Sequence, residues 1–316
     1  MSLLTIFATA ILPVIGVAGA GFLLGRFKDV DPAALNTVTV FVLAPALVVH
    51  SLATTPFPGT TLVRLTAGTV AFSAVMIAVA ESLGRLRGQT EPLLGAFVLV
   101  AAFPNVGNFG IPLSEFVFGQ TGRSTAILVT ALQGVLLYTV GVYIAARGDD
   151  GAPLGSMKRV LSIPLVYAVV GTLIARWLGL VPPADSTAMQ TIETVGIASI
   201  PVMLLVLGIQ LSNVDVDETV TRVTVASVAK LVAAPLVGLA IALAVGFQDP
   251  VVARTFVLLT AAPAAITPVI LVGAFSSTTG DTSPGQYVST SVLVTTLGSV
   301  VTITLLISLL QSGLLV

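Results

Sequence analysis

Phe103-Pro104-Asn105-Val106-Gly107-Asn108-Phe109-Gly110-Ile111-Pro112-Leu113 interrupts an apolar stretch that opens at Glu91-Pro92. Proline has no amide donor and disfavours helical geometry in the residue before it, so a helix cannot run unbroken through this segment. Ala262-Pro263-Ala264-Ala265-Ile266-Thr267-Pro268 poses the same problem later in the chain. Both interruptions lie inside runs long enough to cross a bilayer, where non-helical backbone survives only within protein or against a water-filled cavity. Two such breaks at matching positions of two halves are the pattern of a carrier's binding site.

The composition agrees with a membrane setting. Of 316 residues, 56% are hydrophobic and only 9% charged, with a mean hydropathy of +1.08. A soluble domain carries about 25% charged residues. Apolar runs of this length suit helices rather than barrel strands, so the fold class is an all-α membrane protein. A net charge of −1 leaves no basic stripe for nucleic acid. There are no cysteines, which removes disulfides, thiolate metal sites and cysteine nucleophiles. Neither HExxH nor GxSxG occurs, so an enzyme is not expected, nor is a metal or other cofactor. Met1-Ser2-Leu3-Leu4 lacks the basic start of a cleaved signal peptide, and the run to Gly25 reads as a first membrane span.

Polar and Gly/Pro breaks predict ten spans, at about 3–25, 33–54, 60–84, 92–119, 123–146, 159–179, 186–211, 219–246, 250–278 and 286–312. The polar segment 147–158 divides them into residues 1–146 and 159–316. These halves echo one another. Phe97-Val98-Leu99 matches Phe256-Val257-Leu258 at an offset of 159, and Glu91-Pro92 matches Asp249-Pro250 at 158. Arg64 and Thr66 fall on Arg222 and Thr224 at 158, and Pro45 on Pro201 at 156. Five spans per repeat, an odd number, require the second half to be inverted. With the termini outside, Arg26, Lys28, Arg85, Arg87, Arg147, Lys158, Arg159 and Arg222 are cytoplasmic, against Arg64, Arg123, Arg176 and Arg254 outside. The positive-inside rule therefore predicts extracellular termini, a cytoplasmic linker and a multi-pass plasma-membrane protein.

The breaks have a chemistry of their own. Pro112 and Pro268 suit the first turn of a second half-helix, where a missing donor costs nothing. Such a half-helix presents free N–H groups and partial positive charge to the membrane centre, which favours an anion. The preceding half-helices end there in carbonyls that can hold a cation. Asn105 and Asn108 add neutral amides, Gly107 and Gly110 permit close backbone approach, and Pro104, Pro263 and Thr267 complete the candidate crossover. The bland alternative is a proline kink that only shapes packing.

Ionisable groups inside the spans have two readings each. Lys230, mid-span, is too deep to snorkel easily and is expected to face the transport path or a carboxylate, at a burial cost of ~2.5–3.5 kcal/mol or more. Glu115 is a candidate for proton coupling or an ordinary ion pair. Gln133 could reach the crossover or bond a neighbouring helix. Glu193 and His50 are expected to be structural and interfacial, while Arg64 and Arg254 snorkel.

Asn105-Val106-Gly107-Asn108-Phe109-Gly110-Ile111-Pro112 resembles the motif of the auxin efflux carrier family, whose prokaryotic members are often called malate or organic-anion permeases. Lys230-Leu231-Val232-Ala233-Ala234-Pro235 is similar to a second family pattern, a basic residue shortly before a proline. The resemblance implies ten helices with crossed, broken helices four and nine, as in bile-acid symporters and sodium/proton antiporters. It further implies a scaffold of helices one, two, six and seven, a moving transport domain of three to five and eight to ten, and a homodimer. The implied function is secondary transport of a small organic anion by elevator-like alternating access. The coupling ion, proton or sodium, stays open. A sodium symporter of the bile-acid type and a channel or receptor are the alternatives. The chain lacks the long central hydrophilic loop of some plant members, so an auxin substrate is not implied.

Overall fold

A computed structural model describes residues 8, 11–28, 30–55, 57–147, 164–212, 214, 219–275 and 283–312. Beyond Arg147, the expected 147–158 linker lies outside the described residues, as do Lys158, Arg159 and the side chain of Arg222.

The described chain is helical, without a strand: α1 Leu12–Lys28, α2 Pro32–Thr54, α3 Gly59–Leu86, α4 Leu93–Ala102, α5 Val106–Ala145, α6 Pro164–Trp177, α7 Thr187–Ser212, α8 Val223–Val245, α9 Pro250–Thr260, α10 Thr267–Phe275 and α11 Pro284–Gln311. Among the described residues six of these, α2, α3, α5, α7, α8 and α11, are long and apolar enough to cross a membrane. Shorter helices occupy the remaining expected spans.

Local sequence sets the helix ends. Asp31 accepts the Ala33 N–H at 2.8 Å and Asp249 the Val251 N–H at 2.7 Å, each directly before a proline that opens its helix. Ser283 caps α11 in the same way through the Gln286 N–H, again before a proline. Three widened π turns, Thr39–Leu43, Val106–Gly110 and Ala229–Ala233, stand just before Pro45, Pro112 and Pro235. The proline ring crowds the carbonyl four residues back and donates no bond to it, so the turn before it opens out. Within α5 the backbone at Gly119 is non-helical (φ 62°, ψ −149°). There the chain doubles back, bringing the Ser114 carbonyl within 2.5 Å of where a Cβ on Gly122 would lie. This reversal falls at the boundary expected between spans four and five.

The most extensive helix contact joins α1 to α7, and glycines make it possible. A Cβ on Gly208 would sit 1.9 Å from the Ala18 carbonyl oxygen, and one on Gly21 would lie 2.3 Å from that of Leu205. Close backbone approach through small residues is how helices associate in lipid, where apolar burial gives little drive. Gly208→Ala is therefore expected to lower the stability of the purified protein by the ~1–3 kcal/mol typical of overpacking, read as an earlier melting transition. Gly16→Ala, with no atom within 4 Å of its Cβ, should be neutral. Equal melting of the two variants would refute the tight seam.

Polar contacts gather at two ends of the bundle. At one, Arg147 pairs with Glu81 at 2.6 Å and Glu91 at 3.8 Å, while Arg85 also binds Glu81 at 2.7 Å. Burial pushes the Glu91 carboxyl above the usual carboxylate range, opposed by the Gly95 N–H and by Arg147. At the other end, α2 is stitched to the Gly119 reversal. Gln120 donates to Thr54 Oγ1 at 2.8 Å, Arg123 Nε to Ser51 Oγ at 2.9 Å, and Ser124 Oγ lies 2.9 Å from Thr55 Oγ1. Arg123 is only 5% exposed, and it also meets Glu115 at 3.2 Å. Arg176 caps the same end of α2 by donating to the Leu52 and Thr55 carbonyls.

Candidate functional site

The backbone breaks at 103–105 and 261–266, and the two breaks satisfy each other. Asn105 N–H donates to the Pro263 carbonyl at 2.7 Å, and Ala265 N–H donates to the Phe103 carbonyl at 3.0 Å. Pro104 and Ala264 thereby face each other as an isolated antiparallel bridge. Side chains take up what remains. Ala264 N–H donates to Thr295 Oγ1 at 3.1 Å, and Gln133 Nε2 donates to the Pro104 carbonyl at 2.6 Å. Unpaired backbone groups at this depth would cost several kcal/mol each, so this mutual pairing is what lets both helices unwind. Pro112 and Pro268 stand second in the helices that resume, at Ile111 and Thr267, as their missing donors require.

A cavity of about 270 Å³ opens beside the paired breaks. Pro104, Asn105, Gly107 and Asn108 line it from the first break, and Thr267 from the second. Gln133 and Thr130 of α5, Asn36 and Thr39 of α2, and Gln210 of α7 add polar groups. Among the described residues no charged side chain lines it. Asn105 is 6% exposed, and among the described residues its Nδ2 has no partner. A buried amide left without a bond costs about 1–3 kcal/mol, so Asn105 is held at the break at an energetic cost. Asn36 lies near the start of α2 and Gln210 near the end of α7, so the cavity extends toward the Pro32 end of α2. The polar stitching around Arg123 lies at the opposite, Thr54 end.

The other expected residues lie elsewhere. Pro263 contributes its carbonyl to the pairing, whereas Gly110, Pro112 and Pro268 support the break without lining the cavity. The two glycines differ. A Cβ on Gly110 would lie 2.7 Å from Leu259, while one on Gly107 meets nothing closer than Thr130 at 3.7 Å. Lys230 is fully buried in the π turn before Pro235 but is not among the cavity residues. Its ammonium donates to the Thr260 carbonyl at 3.3 Å and stands 5.7 Å from the Phe72 ring centre. Among the described residues no carboxylate pairs with it. The cation thus sits at the carbonyl end of α9, where the helix dipole favours it. Glu115 pairs with Arg123 away from the cavity. His50 and Glu193, read separately in the sequence, meet at 3.7 Å. Arg64 donates to the Gly246 carbonyl.

Sequence reasoning missed Asn36, Thr39, Thr130 and Gln210 in the cavity, and Ser51, Ser124 and Thr55 in the stitching. Hydroxyls in membrane helices commonly bond their own preceding turn, as Thr130 does to the Ala126 carbonyl, so their positions carry no distinctive signal.

Comparison with known proteins agrees with this geometry. The sequence profile of a family described as "Membrane transport protein" matches residues 6–156 and 156–307. A protein of Rhizobium meliloti named "Putative malonate transporter" is 28% identical over 314 residues, covering 96% of this chain and 95% of that one. An "Uncharacterized transporter" of Methanothermobacter thermautotrophicus is 24% identical over 75% of each chain. The chain is therefore a membrane transporter, not an enzyme, and belongs to the membrane transport protein family, the auxin efflux carrier family of the motif at Asn105–Pro112.

Proposed function

We propose that this protein is a secondary carrier for small organic anions, with malonate-like dicarboxylates as the first class to test. The observation that carries the reading is the cavity at the paired breaks, lined by amides and hydroxyls. The name of the Rhizobium relative points to the same class. In this reading the spans number ten, in two inverted five-helix halves. The termini lie outside by the arginine and lysine distribution. The Thr54 end is then extracellular and stitched shut, the Pro32 end is cytoplasmic and open, and the conformation is inward-facing. Alternating access follows when the half built on α3–α5 and α8–α11 slides against α1, α2, α6 and α7, which are expected to pair the chain with a second copy. The ammonium of Lys230 occupies the carbonyl end of α9 where a sodium ion would otherwise find ligands, which favours a proton or the substrate gradient over sodium.

The test is malonate flux in reconstituted liposomes. A carrier saturates and counter-exchanges preloaded malonate, a channel does neither, and a receptor passes nothing. Uptake that collapses without sodium would favour the bile-acid type of symporter instead. Lys230→Met is expected to leave a folded protein, because methionine fills the lysine stem's volume, while lowering uptake at least about tenfold. Unchanged kinetics in that variant would remove Lys230 from the working parts.

A further inference from the structure

Residues 50–55, at the end of α2, hold the stitching to the Gly119 reversal. Ser51 Oγ accepts from Arg123, and the Ser51 carbonyl accepts from Ser124 Oγ at 3.2 Å. Thr54 Oγ1, which accepts from Gln120, itself donates to the His50 carbonyl at 2.8 Å. The only histidine of the chain therefore lies at the root of these bonds. Its ring looks the other way. Nε2 stands 3.7 Å from Glu193 Oε1 on α7, while Nδ1 is buried without a partner among the described residues.

The surroundings decide what a proton does there. Imidazole is the side chain whose ordinary titration falls between about pH 5 and 8. Glu193 keeps 44% of its side chain exposed, which leaves the pair open to protons from water. With the ring neutral, Arg123 is satisfied by Glu115 and Ser51. Its guanidinium bonds the residue next to His50 and is near enough for its charge to act on the ring. A proton on His50 adds a second positive charge beside the buried guanidinium, where little water screens the repulsion. The other ionisable groups packed on this end of α2 are few. Arg176 of α6 stays charged and is engaged with the Leu52 and Thr55 carbonyls. Glu115 of α5 faces Arg123, and carboxylates ordinarily titrate near pH 4 (about 4.3 for glutamate). Tyr167 of α6 lines a groove with Val49 and Ala53, and a tyrosine keeps its proton until about pH 10.

We infer that His50 is a proton-binding site that governs the stitched end. Protonation draws the ring to Glu193 on α7 and repels Arg123 on α5, so acid loosens the join between α2 and the Gly119 reversal. The inference stands on the stitching and is independent of which solute the transporter carries. In the orientation proposed above, the acid that acts is extracellular.

The experiment is thiol labelling of the purified full-length protein with a cysteine at Thr55, a position 8% exposed. Each rate is divided by that of the same protein carrying His50→Gln, which cancels the titration of the thiol itself. From about pH 8 to pH 6 the ratio should rise about tenfold, the factor that tenfold tighter proton binding in the loosened state supplies. Glu193→Gln, which removes the attracting carboxylate, should need more acid to reach the same rate. A ratio that stays flat overturns the inference, and so does one that falls, because the proton then tightens the join. An unchanged profile in Glu193→Gln overturns the pairing that draws the ring toward α7. Should His50→Gln not fold, the imidazole signals of untagged protein labelled with nitrogen-15 histidine decide, since the chain has a single histidine. The ring must gain its proton over the range in which labelling of the Thr55 cysteine accelerates, and a ring that stays neutral there overturns the inference.

Discussion

Arg123→Met is expected to lower stability by about 3 kcal/mol or more, the low end of what removing one partner of a buried ion pair costs. The guanidinium is almost completely buried, and its partner Glu115 keeps 27% of its side chain exposed, which moderates the penalty of the stranded carboxylate. Two sets of contacts go together: the ion pair with Glu115, and the Nε bond to Ser51 on α2. A second variant separates them. If the stranded charge dominates, Arg123→Met with Glu115→Gln should recover most of the loss in thermal melting. If the double variant melts as early as the single one, the bond to α2 carries the effect. The functional corollary follows from position. Arg123 and Gln120 join the Gly119 reversal to α2, so weakening them should make a cysteine at Thr55 react faster with a water-soluble thiol reagent. The chain has no native cysteine, so that label would be the sole thiol.

Asn105→Ala carries the second large effect, on binding rather than on folding. A hydrogen bond to a charged group is worth ~1.5–3 kcal/mol, or roughly ten- to a hundredfold in affinity. Among the described residues Asn105 Nδ2 has no partner, so its loss strands nothing and melting should change little. The bonds that hold the break belong to the Asn105 backbone and survive the substitution. The apparent Kd for malonate should rise by that factor. Early melting with unchanged affinity would instead make Asn105 architectural. Gly110→Val supplies the contrast: its Cβ meets Leu259 at 2.7 Å and the Asn105 carbonyl at 3.3 Å, so it should melt early, whereas Gly107→Val should keep its fold and narrow the cavity.

Much of this was legible in the residues, and the reasons are physical. Proline in a membrane helix has one consequence, a lost bond and a crowded carbonyl, so Pro104, Pro112, Pro263 and Pro268 located both breaks. Gly119 falls where spans four and five were expected to meet, and the positive φ found there is open to glycine. What stayed hidden was the partner of each group. The Thr260 carbonyl that holds Lys230 has no side-chain signature, so the sequence suggested a carboxylate or the cavity. Arg123 looked like an outer-surface charge because the reversal that buries it depends on α2, which lies far away in sequence. Gln210 and Asn36 join the cavity only through the packing of α7 and α2, which no local pattern encodes.

The bridge between Pro104 and Ala264 also bears on biogenesis. The ribosome releases the first break long before the second exists, and the Phe103 carbonyl and Asn105 N–H find their partners only in Ala265 and Pro263. Until then those groups must stay near water or the insertion machinery, since lipid offers them nothing. Insertion of the first half is therefore provisional, and the arrival of α9 and α10 completes it. A nascent chain halted after α8 should remain a client of chaperones and membrane proteases, while one that reaches α11 escapes them. Quality control of this transporter is thus expected to depend on a pair of backbone hydrogen bonds that form late in synthesis.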